Sequence, residues 1–226
     1  MTTGRNKRRS TPRRALTSVT TAALAGVLTS VATAALAGAL ALSVSGSVQA
    51  VPKAATPGFL VAKDMPQAAG NVWTAGKVTA GAPEWDPFCL EKVLPAQGTT
   101  WHRQFGTDLD TGGVQVSVQA ASAAAAKKLA ASAEASAAAC AADWLRATPG
   151  GTASWDDYGR IAVEEGARVI GVATSIPDSG PGVHLLGIGR DGDTVTIVTW
   201  GQIGNLSHAP VAAFKKTTTT AVNKLR

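Results

Sequence analysis

Val114, Val116 and Val118 alternate with Gln115, Ser117 and Gln119. A period of two marks a strand with one buried face, so this stretch is read as hiding its valines and exposing its polar side chains. Trp101-His102-Arg103-Gln104-Phe105 precedes it as a second strand, and the Gly- and Asp-rich run over residues 106–113 closes the two into a hairpin. The period then lengthens. Residues 123–147 are dominated by alanine, the best helix former, with Ser122 placed as N-cap and Thr148-Pro149-Gly150-Gly151 as the stop. Leu129, Ala133, Ala137, Cys140 and Trp144 share one face of that helix. Four strand candidates follow at residues 154–164, 168–176, 183–190 and 194–200, with turns at Glu165-Gly166, residues 177–182 and Asp191-Gly192. A last helix over about residues 208–225 carries Val211, Phe214, Thr218, Val222 and Leu225 on one stripe, and Pro210 fits its first turn. The order β-β-α-β-β-β-β-α has few parallel crossovers. It predicts an α+β fold: an antiparallel sheet of about six strands, with the Ala-rich helix and the C-terminal helix packed on one face.

The chain before residue 101 is different. Residues 67–100 are irregular, broken by Gly70, Gly76, Gly81, Pro83, Pro87 and Pro95. Phe59-Leu60-Val61-Ala62 is a short apolar lead-in, Asp64-Met65-Pro66 a turn, and residues 51–58 a linker with Pro52, Pro57 and Gly58. Residues 1–14 are basic and polar. From Ala15 to Pro52 there is an uncharged run of 38 residues, ending near Ser47-Val48-Gln49-Ala50. That order of parts reads as a signal peptide over residues 1–50, cleaved after Ala50. Arg13-Arg14 resembles a twin-arginine export signal without its usual tail. The alternative is an uncleaved anchor, since ~20 apolar residues span a bilayer. In both readings the positive flank stays inside and residues 51–226 lie outside the cytoplasm. The expectation is a secreted protein with one domain over residues 59–226.

Charge supports this division. Of 21 basic side chains, six lie in the first fourteen residues, which leaves 15 basic against 15 acidic in the rest. The pI of 9.6 therefore describes a leader, and no basic face is available for nucleic acid. A hydrophobic share of 45% with 16% charged residues excludes wholesale disorder.

The two cysteines, Cys89 and Cys140, stand 51 residues apart. In an oxidising compartment a disulfide is the default, and closing that loop stabilises by ~4 kcal/mol in the chain-entropy model. The alternatives are a metal site or a reactive thiol. A metal site needs about four ligands, and Cys89 has no nearby His or second Cys. With no other cysteine there is no lipobox, so a lipid anchor is not expected.

The lead-in over residues 59–66, Trp73, Cys89 before the first strand, the strand with Arg103 and Phe105, the valine strand, the Ala-rich helix carrying Cys140, the β-meander and the terminal helix occur in one order. Over about residues 59–226 that order resembles the PknH-like extracellular sensor domain family of actinobacterial kinases, lipoproteins and secreted proteins. The resemblance implies a twisted antiparallel sheet packed with helices, and a cleft for an unidentified ligand. Family members often carry two disulfides, where this chain can form one. The chain carries no kinase domain, so signalling would need a separate partner.

Catalytic signatures are sparse. The exported part contains no Gly-x-Ser-x-Gly, His-Glu-x-x-His, Cys-x-x-Cys or phosphate-cradling loop. His102, His184 and His208 are the three histidines, read as surface or satisfied positions. Asp108-x-Asp110-x-Gly112 opens like a calcium loop but lacks the later oxygen ligands, so a hairpin turn is the better reading. Asp156-Asp157 and Glu164-Glu165 are read as solvated strand ends, and Lys215, Lys216 and the threonines at 217–220 as the solvated face of the last helix. Among six tryptophans, Trp101, Trp144 and Trp200 are assigned to the core. Trp73 and Trp85 lie in loop, and with Arg103 they are the candidate lining of a ligand cleft. No cofactor is expected. The favoured class is a binding or sensor-like module for a small-molecule or cell-envelope ligand. An envelope protein-protein module and a secreted hydrolase with a dispersed site, His102 or His184 as base, are the alternatives.

Overall fold

The computed structural model describes residues 55–67, 72–95 and 99–226. The leader assigned to residues 1–50 and the start of the linker lie outside the described residues. Among the described residues, one antiparallel sheet has eight strands: β1 (Thr74–Ala75), β2 (Thr79–Ala80), β3 (Thr99–Gly106), β4 (Gly112–Gln119), β5 (Thr152–Ile161), β6 (Ala167–Ser175), β7 (Gly182–Asp191) and β8 (Thr194–Ile203). The strands lie in the order β1-β3-β4-β8-β7-β6-β5, and β2 also pairs with β3. Two helices, α1 (Ala123–Ala147) and α2 (Val211–Asn223), complete the α+β fold. The sheet exceeds the expected six strands by β1 and β2. Each has only two residues, too few to carry a periodicity.

The helices pack on opposite faces of the sheet, not on one. The buried cluster under α1 contains Ile170, Val172, Leu186, Ile188, Val195 and Ile197. The cluster under α2 contains Val169, Ala173, Val183, Leu185, Val198 and Trp200. These are the two alternating sets of the same three strands. Strands buried on both sides read as nearly continuous apolar runs, and Val183, Leu185, Leu186 and Ile188 form such a run.

α1 follows its predicted bounds. Ser122 Oγ accepts from the Ala125 N–H at 3.2 Å, capping the first turn. Its buried stripe is Ala126, Ala130, Ala133, Ala137, Cys140 and Ala141, with Leu129 and Trp144 half-buried at the margins. Methyl-sized side chains let the helix axis lie close to the sheet. α2 starts at Val211 rather than 208, because residues Leu206–His208 form a separate 3-10 turn capped by Asn205. Thr217 and Thr218 are buried, not solvated. Their hydroxyls donate to the carbonyls of Asp64 and Phe214, at 2.5 and 2.9 Å.

β4 is also buried on both faces. Gln115 and Ser117 have no exposed surface. Gln115 Oε1 accepts from the Leu60 N–H at 2.7 Å, and its Nε2 donates to Thr196 Oγ1 at 3.1 Å. Ser117 Oγ bonds the same threonine at 3.2 Å. These polar groups are therefore satisfied within the fold, which is what permits their burial. The lead-in Phe59-Leu60 lies over them, and a Cβ on Gly58 would come within 2.1 Å of the Lys224 carbonyl. The last linker residue thus packs into the fold.

The four acids of the two pairs are exposed, as expected of solvated positions, but three of them also take partners. Asp157 takes a two-point contact from Arg168 at 2.6 and 3.1 Å, and Arg168 also reaches Glu134 of α1 at 3.3 Å. The Arg168 hydrogen bonds, with a further one from the Gly159 N–H, lower the Asp157 pKa to about 2. Glu164 pairs with Arg226, and Glu165 accepts from the Gly192 N–H at 2.9 Å.

Candidate functional site

Cys89 and Cys140 are bonded, with their Cα atoms 5.2 Å apart. The bond joins the loop carrying Trp85 and Phe88 to α1. Cys89 sits at φ +70°, a region that non-glycine residues enter at a cost. Two contacts hold it there: the disulfide, and Ser136 Oγ of α1 donating to the Cys89 carbonyl at 2.6 Å. The neighbouring Phe88 ring is thereby brought against His184 of β7, with centroids 4.4 Å apart.

Beside this pair a groove of about 410 Å³ opens on the α1 face of the sheet. Its lining includes Gly112 and Gly201, two members of a row of glycines in register. Gly106 of β3 pairs with Gly112 of β4, Gly112 with Gly201 of β8, and Gly201 with His184 of β7. Three adjacent strands thus place glycines in register, of which Gly112 and Gly201 line the groove. A Cβ on Gly106 would meet nothing within 4 Å, and one on Gly112 only the Phe105 carbonyl at 3.6 Å. The space over these two is therefore open. Gly201 differs, since a Cβ there would lie 2.8 Å from His184 Nδ1. The imidazole lies across that residue and requires it to be glycine. Phe88, Leu186 and Ile203 supply apolar lining, and Thr199, Gln202 and the exposed Asp110 supply polar lining beside His184.

His184 is half-buried and has no protein hydrogen-bond partner among the described residues. Burial pushes its pKa down, so the imidazole is held neutral and offers one donor and one acceptor. The other two histidines are engaged by backbone. His102 Nδ1 lies 2.9 Å from the Gly81 carbonyl, and His208 Nδ1 accepts from the Asn205 N–H at 3.1 Å.

Comparison with family models, with curated proteins and with solved structures finds no match for this chain. Its site is therefore read from geometry.

The lining expected from the sequence is not assembled. Trp73 is 5% exposed, packed among Leu60, Met65 and Phe105, with its Nε1 donating to the Pro66 carbonyl at 2.8 Å. Arg103 donates to the Gly76 carbonyl at 2.7 Å and the Leu60 carbonyl at 2.8 Å. It clips two irregular segments to the sheet. Trp85 is 78% exposed and lines no part of the groove. Tryptophan in a loop sequence does not say which side it takes: Trp73 is drawn in where its segment folds back over β3, and Trp85 is not. Trp101 and Trp200 do lie in the core, whereas Trp144 is half-buried against Gly151.

The groove residues left unassigned by the sequence were Phe88, Gly112, His184 and Gly201. Their trace was present. Glycine inside a strand marks a place where another group approaches the backbone, yet residues 106–113 read as a turn and the last strand as ending at Trp200. The hairpin turn itself is shorter: Thr107 Oγ1 bonds the carbonyls of Leu109 and Thr111. Among the described residues, no three His, Cys, Asp or Glu side chains are grouped to hold a metal ion, and no helix is long and apolar enough to cross a membrane.

Proposed function

We propose that this chain is an exported, disulfide-stapled ligand-binding domain of sensor type, and that the groove lined by Gly112, His184 and Gly201 is its site. One observation carries the reading: open space of about 410 Å³ lies over Gly112, beside Phe88, whose loop the disulfide ties to α1. That volume falls within the range of small-molecule sites, ~300–1,000 Å³. The order of charge and apolarity in residues 1–50, together with the disulfide, supports export to an oxidising compartment. The resemblance to the PknH-like extracellular sensor domains supports the sensor-type reading.

A ligand that binds the native state raises its melting temperature. Screening cell-envelope glycans, lipids and peptides should therefore reveal stabilisation by one class, and Gly112→Leu, which fills the groove, should remove it. No stabilisation by any class would overturn the reading. A second reading, an envelope protein-protein module, is favoured by the exposure of Trp85. Pull-down from envelope extract that depends on Trp85 and not on Gly112 would select it.

A further inference from the structure

We infer that the groove takes a cationic ligand: an ammonium group on a largely apolar body, with the positive charge at Asp110. This rests on the groove being a binding site. It adds the chemical class of what binds.

The sign of the charge follows from what surrounds the groove. Asp110, on the turn between β3 and β4, is the charged side chain in its described lining, and among the described residues no Lys or Arg lines it. His184 adds no positive charge, because burial holds it neutral. Asp108 and Asp178 are exposed acids on the turns that contribute Asp110 and Pro181. Phe88 also borders a second, smaller cavity of about 240 Å³ between its loop and α1. That cavity has the same sign. Glu91 and Asp143 line it, and among the described residues no Lys or Arg does. α1 ends there at Ala147, where the unpaired carbonyls of a helix C-terminus carry partial negative charge. Arg146 is the cation of that last turn, and it is paired with Asp143. Lys92, next to Glu91 in sequence, lines neither cavity. Both sides of Phe88 therefore lie in a negative field, which low-dielectric walls focus into the clefts.

The apolar body follows from the rest of the lining. Phe88, Pro181, Leu186 and Ile203 face the groove. Ile203 is 61% exposed, so apolar surface is left for a ligand to cover. The polar lining is partly spent within the fold. Thr199 Oγ1 accepts from the Val114 N–H at 3.1 Å, and Gln202 Oε1 accepts from the Thr111 hydroxyl at 3.4 Å. A sugar is a poor fit, because more of its hydroxyls would lose water than these groups can serve. A carboxylate or phosphate would meet repulsion from Asp110 with no lining cation to offset it.

The test uses the full chain, labelled with 15N, and three probes of one chain length, each below its micelle concentration: octylammonium, 1-octanol and octanoate. Octylammonium should shift the backbone amides of Gly112 and Gly201 and the His184 ring signals with the highest affinity. 1-Octanol should bind the same place roughly 2–5-fold more weakly, the scale of one solvent-exposed ion pair, and octanoate more weakly still. Added salt should narrow these differences. Asp110→Asn, a change on an exposed turn, should remove most of the gap between octylammonium and 1-octanol. Gly112→Leu should abolish binding of all three, with an otherwise unchanged spectrum. If 1-octanol or octanoate binds there as tightly as octylammonium, the charge inference fails while the groove remains a binding site. A preference for octylammonium that survives Asp110→Asn, or binding that survives Gly112→Leu, overturns the inference as well. If no probe shifts these signals the inference fails, and the groove itself is wrong only if the screen of envelope ligands is also blank.

Discussion

Phe88 and His184 lie ring against ring, with planes inclined by 38°, although they belong to an irregular loop and to a central strand. The contact is made possible by the adjacent Cys89, whose left-handed backbone and bond to Cys140 fix the loop over the sheet. Behind His184, Gly201 leaves room for the imidazole. One aromatic contact thus links the staple, the glycine row and the open groove.

Breaking the staple should loosen that wall first. Reduction, or Cys140→Ser, should destabilise the fold by ~2–5 kcal/mol, as for native bridges in small secreted domains. Limited proteolysis of the reduced protein should cut first within residues 67–100. Chemical denaturation with and without reductant measures the loss. An unchanged midpoint would show that α1 holds the loop without the bond.

Two adjacent glycines should respond in opposite ways. A Cβ on Gly113 would lie 2.3 Å from the Thr199 carbonyl, a backbone atom of the pairing partner strand. Gly113→Ala should therefore destabilise by ~1–3 kcal/mol or more, as overpacking does. Gly112→Ala meets only ordinary contact. It should be neutral, or stabilising by up to ~1 kcal/mol through the unfolded chain. Thermal melts of the two variants side by side decide this.

Acidification should weaken the fold through His184. Its folded pKa lies below the ordinary 6.5, because burial disfavours the charged form. The unfolded chain therefore binds the proton more readily. The contribution is fully present above pH ~6.5 and is lost as pH falls through the lower folded value. Asp110 is the charged side chain in the described lining of the groove, and it is exposed. His184→Phe should flatten the stability profile below about pH 6.5. A profile identical to the parent's would mean that His184 is solvated.

A second acid-side loss belongs to Asp157. Hydrogen bonds from Arg168 and Gly159 lower its pKa from 3.8 to about 2. Its stabilisation is present above the unfolded value and disappears as pH falls between those two limits. The carboxylate is partly solvated, so the effect should be small. Asp157→Asn should shift the acid-unfolding midpoint upward less than reduction of the disulfide does. Circular dichroism against pH reads both.

Local order was legible wherever a period ran long enough to repeat. Twenty-five residues of alanine-rich sequence from Ala123 to Ala147 can be little other than helix, and of the four C-terminal strands, set off by turns, the last announces itself by the β-branched run Thr194–Thr199. The chemistry of two cysteines in a chain with an export-type leader pointed to their bond. Placement was another matter. The helices cover opposite faces because Val183, Leu185, Leu186 and Ile188 bury both sides of β7, and only the sheet order decides which neighbour lies over which side. β1 and β2 exist because β3 offers an open edge, not because Thr74-Ala75 or Thr79-Ala80 prefers to be extended. Trp73 and Arg103 became core and clamp because the irregular segment folds back over β3. Gly106, Gly112, Gly201 and His184 are scattered over 96 positions of chain. They meet in one row because antiparallel register, a property of paired strands rather than of any segment, brings them to the same level of the sheet.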